Sequence, residues 1–254
     1  YTFRVAATNT AGTGPQSAPS NPVGPSAPPS QVSAGRFHTC AALEDGRARC
    51  WGKNGNGQLG NGTTGTHASS ATPVPVTGIT TAVAVAAGDA HSCALLTDGG
   101  VRCWGAGLFL GHGSSSSSPT PVAVSGITTA VSLSVAGSHS CAVLADGTIR
   151  CWGYNSLGQL GNGTTTNTTA PVTVTGISTA TEVSAGLGHT CARLADSTLR
   201  CWGYNGVGQL GNGTTTNSST PVVVTGISTA TGIGAEGNYH ACARLADSTL
   251  RCWG

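Results

Sequence analysis

The stretch "HTCARLADSTLRCWGYNGVGQLGNGTT", residues 189–215, decides the fold, because the chain repeats it. "HSCAVLADGTIRCWGYNSLGQLGNGTT" occupies residues 139–165 and "HTCAALEDGRARCWGKNGNGQLGNGTT" residues 38–64. A histidine two residues ahead of a cysteine recurs at His38, His91, His139, His189 and His240, at intervals of 53, 48, 50 and 51 residues. The cysteines come in pairs at a fixed spacing: Cys40/Cys50, Cys93/Cys103, Cys141/Cys151, Cys191/Cys201 and Cys242/Cys252. Each second cysteine is followed by Trp-Gly, at Trp51, Trp104, Trp152, Trp202 and Trp253. A period of this length points to a helical solenoid or a propeller blade, in which each unit buries its apolar face against its neighbours.

Local patterning chooses between the two. "AVAVAAGDAHSCALLTDGGVRCWG", residues 82–105, alternates over short stretches and is punctuated by Gly and Asp-Gly. No stretch of the repeat carries the apolar stripe at i, i+3, i+4 and i+7 that a packed helix needs. The repeat therefore reads as four short strands, predicted in the third copy at Val131–Ala136, Ser140–Leu144, Ile149–Trp152 and Pro171–Thr175. Four-stranded units repeated about an axis make an all-β propeller.

"CWGYNSLGQLGNGT" (residues 151–164), with "AGxxHTCAL" before it and "PVxVxGI" after it, resembles the repeat of the regulator of chromosome condensation family. The resemblance spans roughly residues 31–254 and implies a propeller, typically of about seven blades. The units fall near 31–78, 79–126, 127–176, 177–226 and a partial fifth at 227–254, as part of a larger ring. The fifth unit stops after its third strand, so an open sheet edge and self-association through it are expected.

The cysteines follow from the hairpin. A three-residue loop between Leu43 and Arg47 puts Gly46 at the left-handed position of a type I turn with a G1 bulge. Counting back places Cys40 opposite Cys50 at a non-hydrogen-bonded pair, where Cα atoms lie about 4.5 Å apart. That is within disulfide reach, and closing such a loop contributes roughly 2.5–3 kcal/mol. A metal site is the rival reading, since His38, Cys40 and Cys50 share a face. No fourth ligand recurs and no CxxC spacing is present, so disulfides lead, with reduced structural thiols as a third reading. All ten cysteines, Cys40, Cys50, Cys93, Cys103, Cys141, Cys151, Cys191, Cys201, Cys242 and Cys252, are assigned to hairpin disulfides, which places the chain in an oxidising, extracellular or cell-surface setting.

The start of the chain reads differently. "YTFRVAATNTAGTGPQSAPSNPV", residues 1–23, resembles the last two strands of a fibronectin type III sandwich, with alternating Tyr1, Phe3 and Val5 and a Gly-x-Gly turn. "GPSAPPS", residues 24–30, is then a Pro-rich linker. The first residue is Tyr and the chain holds no Met, so it reads as a segment of something longer, with targeting information outside it.

Composition excludes some classes. Charged residues make up 8% of the chain, the formal net charge is +2 and Lys53 is its single lysine, so no basic face for nucleic acid is expected. No apolar run approaches the roughly 20 residues of a membrane span, so no membrane insertion is expected.

Most recurring polar residues read as structure. The histidines each begin a strand and are expected to hold the same backbone group of their own blade, rather than form a ring of ligands. Asp45, Asp98, Asp146, Asp196 and Asp247 read as turn formers. Arg49, Arg102, Arg150, Arg200 and Arg251 point away from the cysteines, to pair with acids or cover the blade. The Gly-rich "GNGQLGNGTT" lacks the lysine of a phosphate loop, so Leu59, Leu160 and Leu210 are expected to plug between blades and Gln58, Gln159 and Gln209 to hold backbone. Asn61, Asn162, Asn212, Asn167 and Asn217 match glycosylation sequons, which arise by chance in a Thr-rich chain.

Copy two departs from the pattern. "CWGAGLFLGHGSSSSSPTPV", residues 103–122, loses two residues and the glutamine, and gains Phe109 and His112. Leu108, Phe109, Leu110 and His112 are the candidate partner contact if exposed; the preferred alternative is that they refill the same pocket between blades.

No catalytic residue, metal ligand or cofactor fingerprint stands above the repeat. The expectation is a non-enzymatic extracellular binding or scaffold module of a bacterial multidomain surface or secreted protein, with no cofactor and with an unidentified protein or surface glycan as partner. The alternatives are a secreted propeller that inhibits another protein and, less favoured, the nucleotide exchange and chromatin binding that the family resemblance implies. Aromatic residues gathered on one face of the ring would favour the inhibitor, and bland Gly/Ser/Thr loops the scaffold.

Overall fold

The computed structural model describes residues 8–9, 12–13, 29–235 and 239–254. Strands β1 (Thr8–Asn9) and β2 (Gly12–Thr13) pair antiparallel, and the remainder of the fibronectin-like reading lies outside the described residues. The first repeat forms β3 (Pro29–Ala34), β4 (His38–Leu43), β5 (Ala48–Gly52) and β6 (Ser70–Pro75). The second forms β7 (Ala82–Ala87), β8 (His91–Leu96), β9 (Val101–Gly105) and β10 (Ser118–Ala123), with a 3-10 turn at Gly107–Phe109. The third forms β11 (Ala130–Ala136), β12 (His139–Leu144), β13 (Ile149–Gly153) and β14 (Thr168–Thr173). The fourth forms β15 (Ala180–Ala185), β16 (His189–Leu194), β17 (Leu199–Gly203) and β18 (Ser218–Val223). The fifth contributes β19 (Ala230–Gly234), β20 (Ala241–Leu245) and β21 (Leu250–Trp253). The first four repeats are four-stranded antiparallel meanders and the fifth is a three-stranded sheet, so the chain is an all-β propeller of repeated blades.

Strand boundaries in the third blade differ from the sequence reading by one to three residues, and the linker boundary differs as well. Pro29 and Ser30, assigned to the linker, belong to β3. The outer strand of the third blade begins at Thr168 rather than Pro171. A bulge explains the early start: Cys151 faces Val172 while Gly153 faces Thr168, so the strand bows out between these pairs. The Thr168 hydroxyl donates to the Ala170 carbonyl at 2.8 Å and holds the bow.

The hairpin between the second and third strands follows its turn. The Leu43 amide donates to the Arg47 carbonyl at 2.8 Å and the Gly46 amide to Leu43 at 2.9 Å, with Gly46 at φ 79°. That register sets Cys40 opposite Cys50, and the same pairing recurs in the other blades. Each pair is bonded, at Cα separations of 4.0–4.1 Å. Among the described residues no cysteine is free. The turn aspartates act as turn formers: the Thr148 amide donates to Asp146 Oδ1 at 2.9 Å and the Gly100 amide to Asp98 Oδ1 at 2.8 Å.

The core lies between blades rather than within them. Cys141, Val143, Ile149 and Leu160 of the third blade pack with Ala192, Leu194 and Trp202 of the fourth. A single blade has too little of its own interior, so neighbours supply the burial that stabilises each sheet.

Blades four and five place Ser197 and Ser248 where the other hairpins have glycine, at φ 66° and 68°. A left-handed L-residue costs about 1–2 kcal/mol, while glycine loses roughly 0.5–1 kcal/mol more backbone entropy on folding. The first term wins by a modest margin, so Ser197→Gly should raise the thermal midpoint slightly. A lowered midpoint in calorimetry would show that the turn tolerates serine without strain.

Candidate functional site

The seam between blades holds most of the residues that looked chemically capable. In the first seam, His38 Nε2 lies 2.7 Å from Ser92 Oγ of the next blade. Ser92 donates to the Gln58 carbonyl at 2.9 Å, and the Trp104 indole donates to the same oxygen at 2.9 Å. The third seam repeats this with His139 Nε2 2.8 Å from Thr190, and with Thr190 and Trp202 both donating to the Gln159 carbonyl at 2.9 Å. The expectation that each histidine holds backbone of its own blade is thus corrected: the partner is a hydroxyl one blade on. Backbone of its own blade is already committed to strand pairing at that position, so the ring reaches across the seam.

Proton bookkeeping assigns the tautomer. Ser92 and Thr190 spend their protons on carbonyls, so they accept from a histidine protonated on Nε2. Nδ1 of His38, His91 and His139 is then buried with no partner. A second proton there would find no acceptor, and burial pushes these pKa values down, to about 4 for His38 and about 3 for His91 and His139. His189 is likewise held down at about 4 by burial. All four are neutral, and His38, His91 and His139 are bonding groups across the seam.

The Gly-rich loop supplies the carbonyl. Leu59, Leu160 and Leu210 are wholly buried between blades, as the sequence reading expects. Gln58, Gln159 and Gln209 hold backbone through Oε1, accepting from the amides of Asn56, Leu157 and Val207 at 2.9–3.0 Å. Gly161 sits at φ 68° against the Trp202 indole, where a Cβ would fall 2.6 Å from Nε1. Sequence reasoning missed the loop's organising residues, Asn54, Asn155 and Asn205. Asn155 Oδ1 accepts from the Leu160 amide at 2.9 Å, while Nδ2 donates to the Thr164 and Thr166 carbonyls at 3.1 Å. The available signal was co-loss: copy two lacks this asparagine, the glutamine and the second asparagine together. The sequon residues serve the same loop, with Asn162 Oδ1 accepting from the Thr164 amide and hydroxyl and Asn167 Oδ1 from the Asn155 amide.

In copy two the candidate contact residues refill the seam. Leu110 is fully buried in the cluster that holds Trp152, and the Phe109 carbonyl accepts the Trp152 indole at 3.0 Å. Leu110 is therefore withdrawn as a partner contact, because it occupies the plug position of Leu59 and Leu160. Leu108, Phe109 and His112 are half-buried, with the Phe109 ring 5.2 Å from that of His91. The recurring arginines do not pair with acids: Arg49 Nη1 donates to the Pro73 carbonyl and Arg251 Nη1 to that of Gly226. Ion pairs among the described residues are Arg36–Asp89, Arg47–Asp45 and Arg193–Glu182.

The accessible chemistry gathers at one end of the blades, where the first-to-second and third-to-fourth strand loops meet. A hollow of about 570 Å³ is lined there by Arg36, Gly88, Asp89, Gly137, Leu187 and Tyr239, among others. A second, of about 260 Å³, is lined by Leu157, Leu187, Gly188, Tyr204, Val207 and Tyr239. Phe37 stands between Arg36 and Lys53, whose charges lie 5.0 and 4.8 Å from its ring centre. Apart from the Trp residues and the half-buried Phe109, the described aromatics, Phe37, Tyr154, Tyr204 and Tyr239, all sit in these loops.

The fourth seam lacks one part. Ala241 stands where the others have Ser or Thr, and among the described residues neither ring nitrogen of buried His189 has a partner. Ala241→Ser should give His189 Nε2 and the Gln209 carbonyl a shared hydroxyl and stabilise by about 1 kcal/mol. An unchanged or lower midpoint on thermal denaturation would refute this. Stability should also fall with acid. Because the folded pKa values lie below the unfolded value of about 6.5, stability is complete above that pH and declines between it and pH 3–4. The slope is about 1.4 kcal/mol per pH unit for each histidine, so midpoints at pH 7 and 5 should differ clearly. Equal midpoints would contradict the neutral assignment.

Comparison with known proteins follows the repeat. The profile described as "Regulator of chromosome condensation (RCC1) repeat" matches residues 45–95, 146–193 and 198–244, and a second of the same description matches 30–58, 82–109, 130–159 and 180–209. Protein pim1 of Schizosaccharomyces pombe is 33% identical over 86 residues, covering 30% of this chain and 16% of that protein. The structure of human WBSCR16 superposes with a TM-score of 0.75 at 22% identity, over 85% of this chain and 57% of that one. Prp20p of Saccharomyces cerevisiae, described with its binding to Gsp1p and histones, gives 0.75 at 24% identity, over 87% of this chain and 56% of that one. The chain thus spans little more than half the length of these structures and less of pim1. With repeat matches over more than half its length and the blade architecture they imply, the chain belongs to the regulator of chromosome condensation repeat family.

Proposed function

We propose that this chain is a non-enzymatic, extracellular protein-binding module of a bacterial multidomain surface or secreted protein. The observation that carries the reading is the fate of its reactive groups. The cysteines are bonded to each other, and the seam histidines and hydroxyls between blades two and four are engaged with their neighbours. What varies from blade to blade, and stays accessible, is a set of loops at one end. Five hairpin disulfides favour an oxidising compartment. No helix of the described residues is long and apolar enough to cross a membrane.

A second reading, a secreted propeller that inhibits another protein, gains from the gathering of Phe37, Tyr154, Tyr204 and Tyr239 at one end. Exchange activity with chromatin binding is disfavoured by the sparse charge, with Lys53 the single lysine. A surface glycan as partner and self-association through a sheet edge remain subordinate readings.

Protease shaving tests the location. Treating intact producing cells, or collecting their medium, should remove or recover the chain before lysis. Protection until the cells are broken would overturn the extracellular reading.

A further inference from the structure

The repeats compare themselves. At the positions that build the seam, blades one, three and four agree: Leu59, Leu160 and Leu210, and Gln58, Gln159 and Gln209. At the accessible end they diverge in chemistry. Where the first blade has Lys53 and Asn56, the third has Tyr154 and Leu157 and the fourth Tyr204 and Val207. The loop fold is indifferent to this change, since Asn56, Leu157 and Val207 all donate the same amide to a glutamine. Val207 is 55% exposed and Tyr239 52% exposed, so their apolar groups add little to the core. Apolar side chains that serve neither turn nor core, and converge from three blades on one hollow, need another reason.

The hollow has a definite construction. Gly188 lets Leu157 and Tyr204 close in, since a Cβ there would lie 3.0 Å from Leu157 Cδ1 and 3.4 Å from Tyr204 Cβ. Tyr204 and Tyr239 meet edge to face, with centroids 6.2 Å apart. Its volume of about 260 Å³ falls below the roughly 300 Å³ at which small-molecule sites begin, and suits one large side chain. Its described lining offers two tyrosine hydroxyls and no amide, carboxylate or guanidinium side chain. A sugar would leave hydroxyls unpaired there, at about 1–3 kcal/mol each, whereas an aromatic side chain loses nothing. Leu187 and Tyr239 also line the neighbouring hollow, which reaches Arg36 and Asp89. Arg36 and Asp89 pair with each other at 3.6 Å, so this lining favours neither sign of charge.

We propose that the hollow formed by Leu157, Leu187, Tyr204, Val207 and Tyr239 captures an aromatic side chain of a protein partner. This rests on the reading of the chain as a protein-binding module. Shaving decides the location, and the titration below decides this site independently of it.

The test is NMR titration of the methyl-labelled chain with three probes: acetyl-Gly-Phe-Gly-amide, acetyl-Gly-Ala-Gly-amide and methyl glucoside. The phenylalanine peptide should shift the methyls of Leu157, Leu187 and Val207 saturably, with a Kd on the order of 1 mM, and bind several-fold tighter than the alanine one. Val207→Asp, at an exposed position, should weaken it about tenfold with the spectrum otherwise intact. Tyr239→Ala serves as the second variant and should do the same. No shift at these methyls with about 10 mM peptide, equal binding of both peptides, a preference for the glucoside, or unchanged affinity in both variants would each overturn the proposal.

Discussion

One carbonyl oxygen per blade, offered by the Gly-rich loop to the indole of the next blade, is the contact on which the rest of the structure depends. Gln58, Phe109, Gln159 and Gln209 provide it, and Trp104, Trp152, Trp202 and Trp253 donate to it at 2.9–3.0 Å. Presenting that oxygen requires the leucine beside it to be buried and the loop behind it to be rigid. The buried asparagines supply that rigidity, and the disulfide behind each indole holds the hairpin that carries it. In the first and third seams the serine or threonine that shares the oxygen, and the histidine that meets the hydroxyl, extend one bond into a ladder across the seam. Buried polar networks of this kind specify geometry because each member, left unpaired, costs about 1–3 kcal/mol.

The departures from the repeat follow the same logic. Copy two discards the glutamine, both asparagines and two residues of loop at once, and keeps the carbonyl and the leucine. The parts lost are those that support one another, and the parts kept are those that face the neighbour. The fourth seam loses a hydroxyl at Ala241 and leaves His189 without a partner among the described residues, while the indole bond from Trp253 persists. The indole contact is thus the common element of all four seams, and the histidine arm is the dispensable one.

This division of labour bears on function. Groups that would suggest catalysis in isolation, the His-Cys-Cys cluster above all, are consumed by disulfides and by the seam. Variation is left to loops that leave the blades at one end, where side chains change from Lys53 and Asn56 to tyrosine and aliphatic residues without disturbing the frame. A rigid frame with a replaceable end suits a binding surface, because preorganised loops lose little entropy on association.

The sequence by itself determined the repeat, its strands, the hairpin register and the cysteine pairing, because these depend on spacing and turn chemistry within a few residues. Leu43, Gly46 and Arg47 suffice to place Cys40 opposite Cys50. It also marked Leu59, Leu160 and Leu210 as plugs, since an apolar residue in a Gly-rich loop has little else to do. Only the tertiary structure decided where the histidines reach, that Leu110 takes the plug position, and that Asn155 organises its loop. It alone brought Leu157, Leu187, Val207 and Tyr239 to one hollow. Apart from the Asn155 loop, whose partners lie within 12 positions, these are contacts between residues roughly 30 to 80 positions apart, joined by the angle between successive blades. Local propensity carries no information about that angle, which is set by the packing of one sheet on the next.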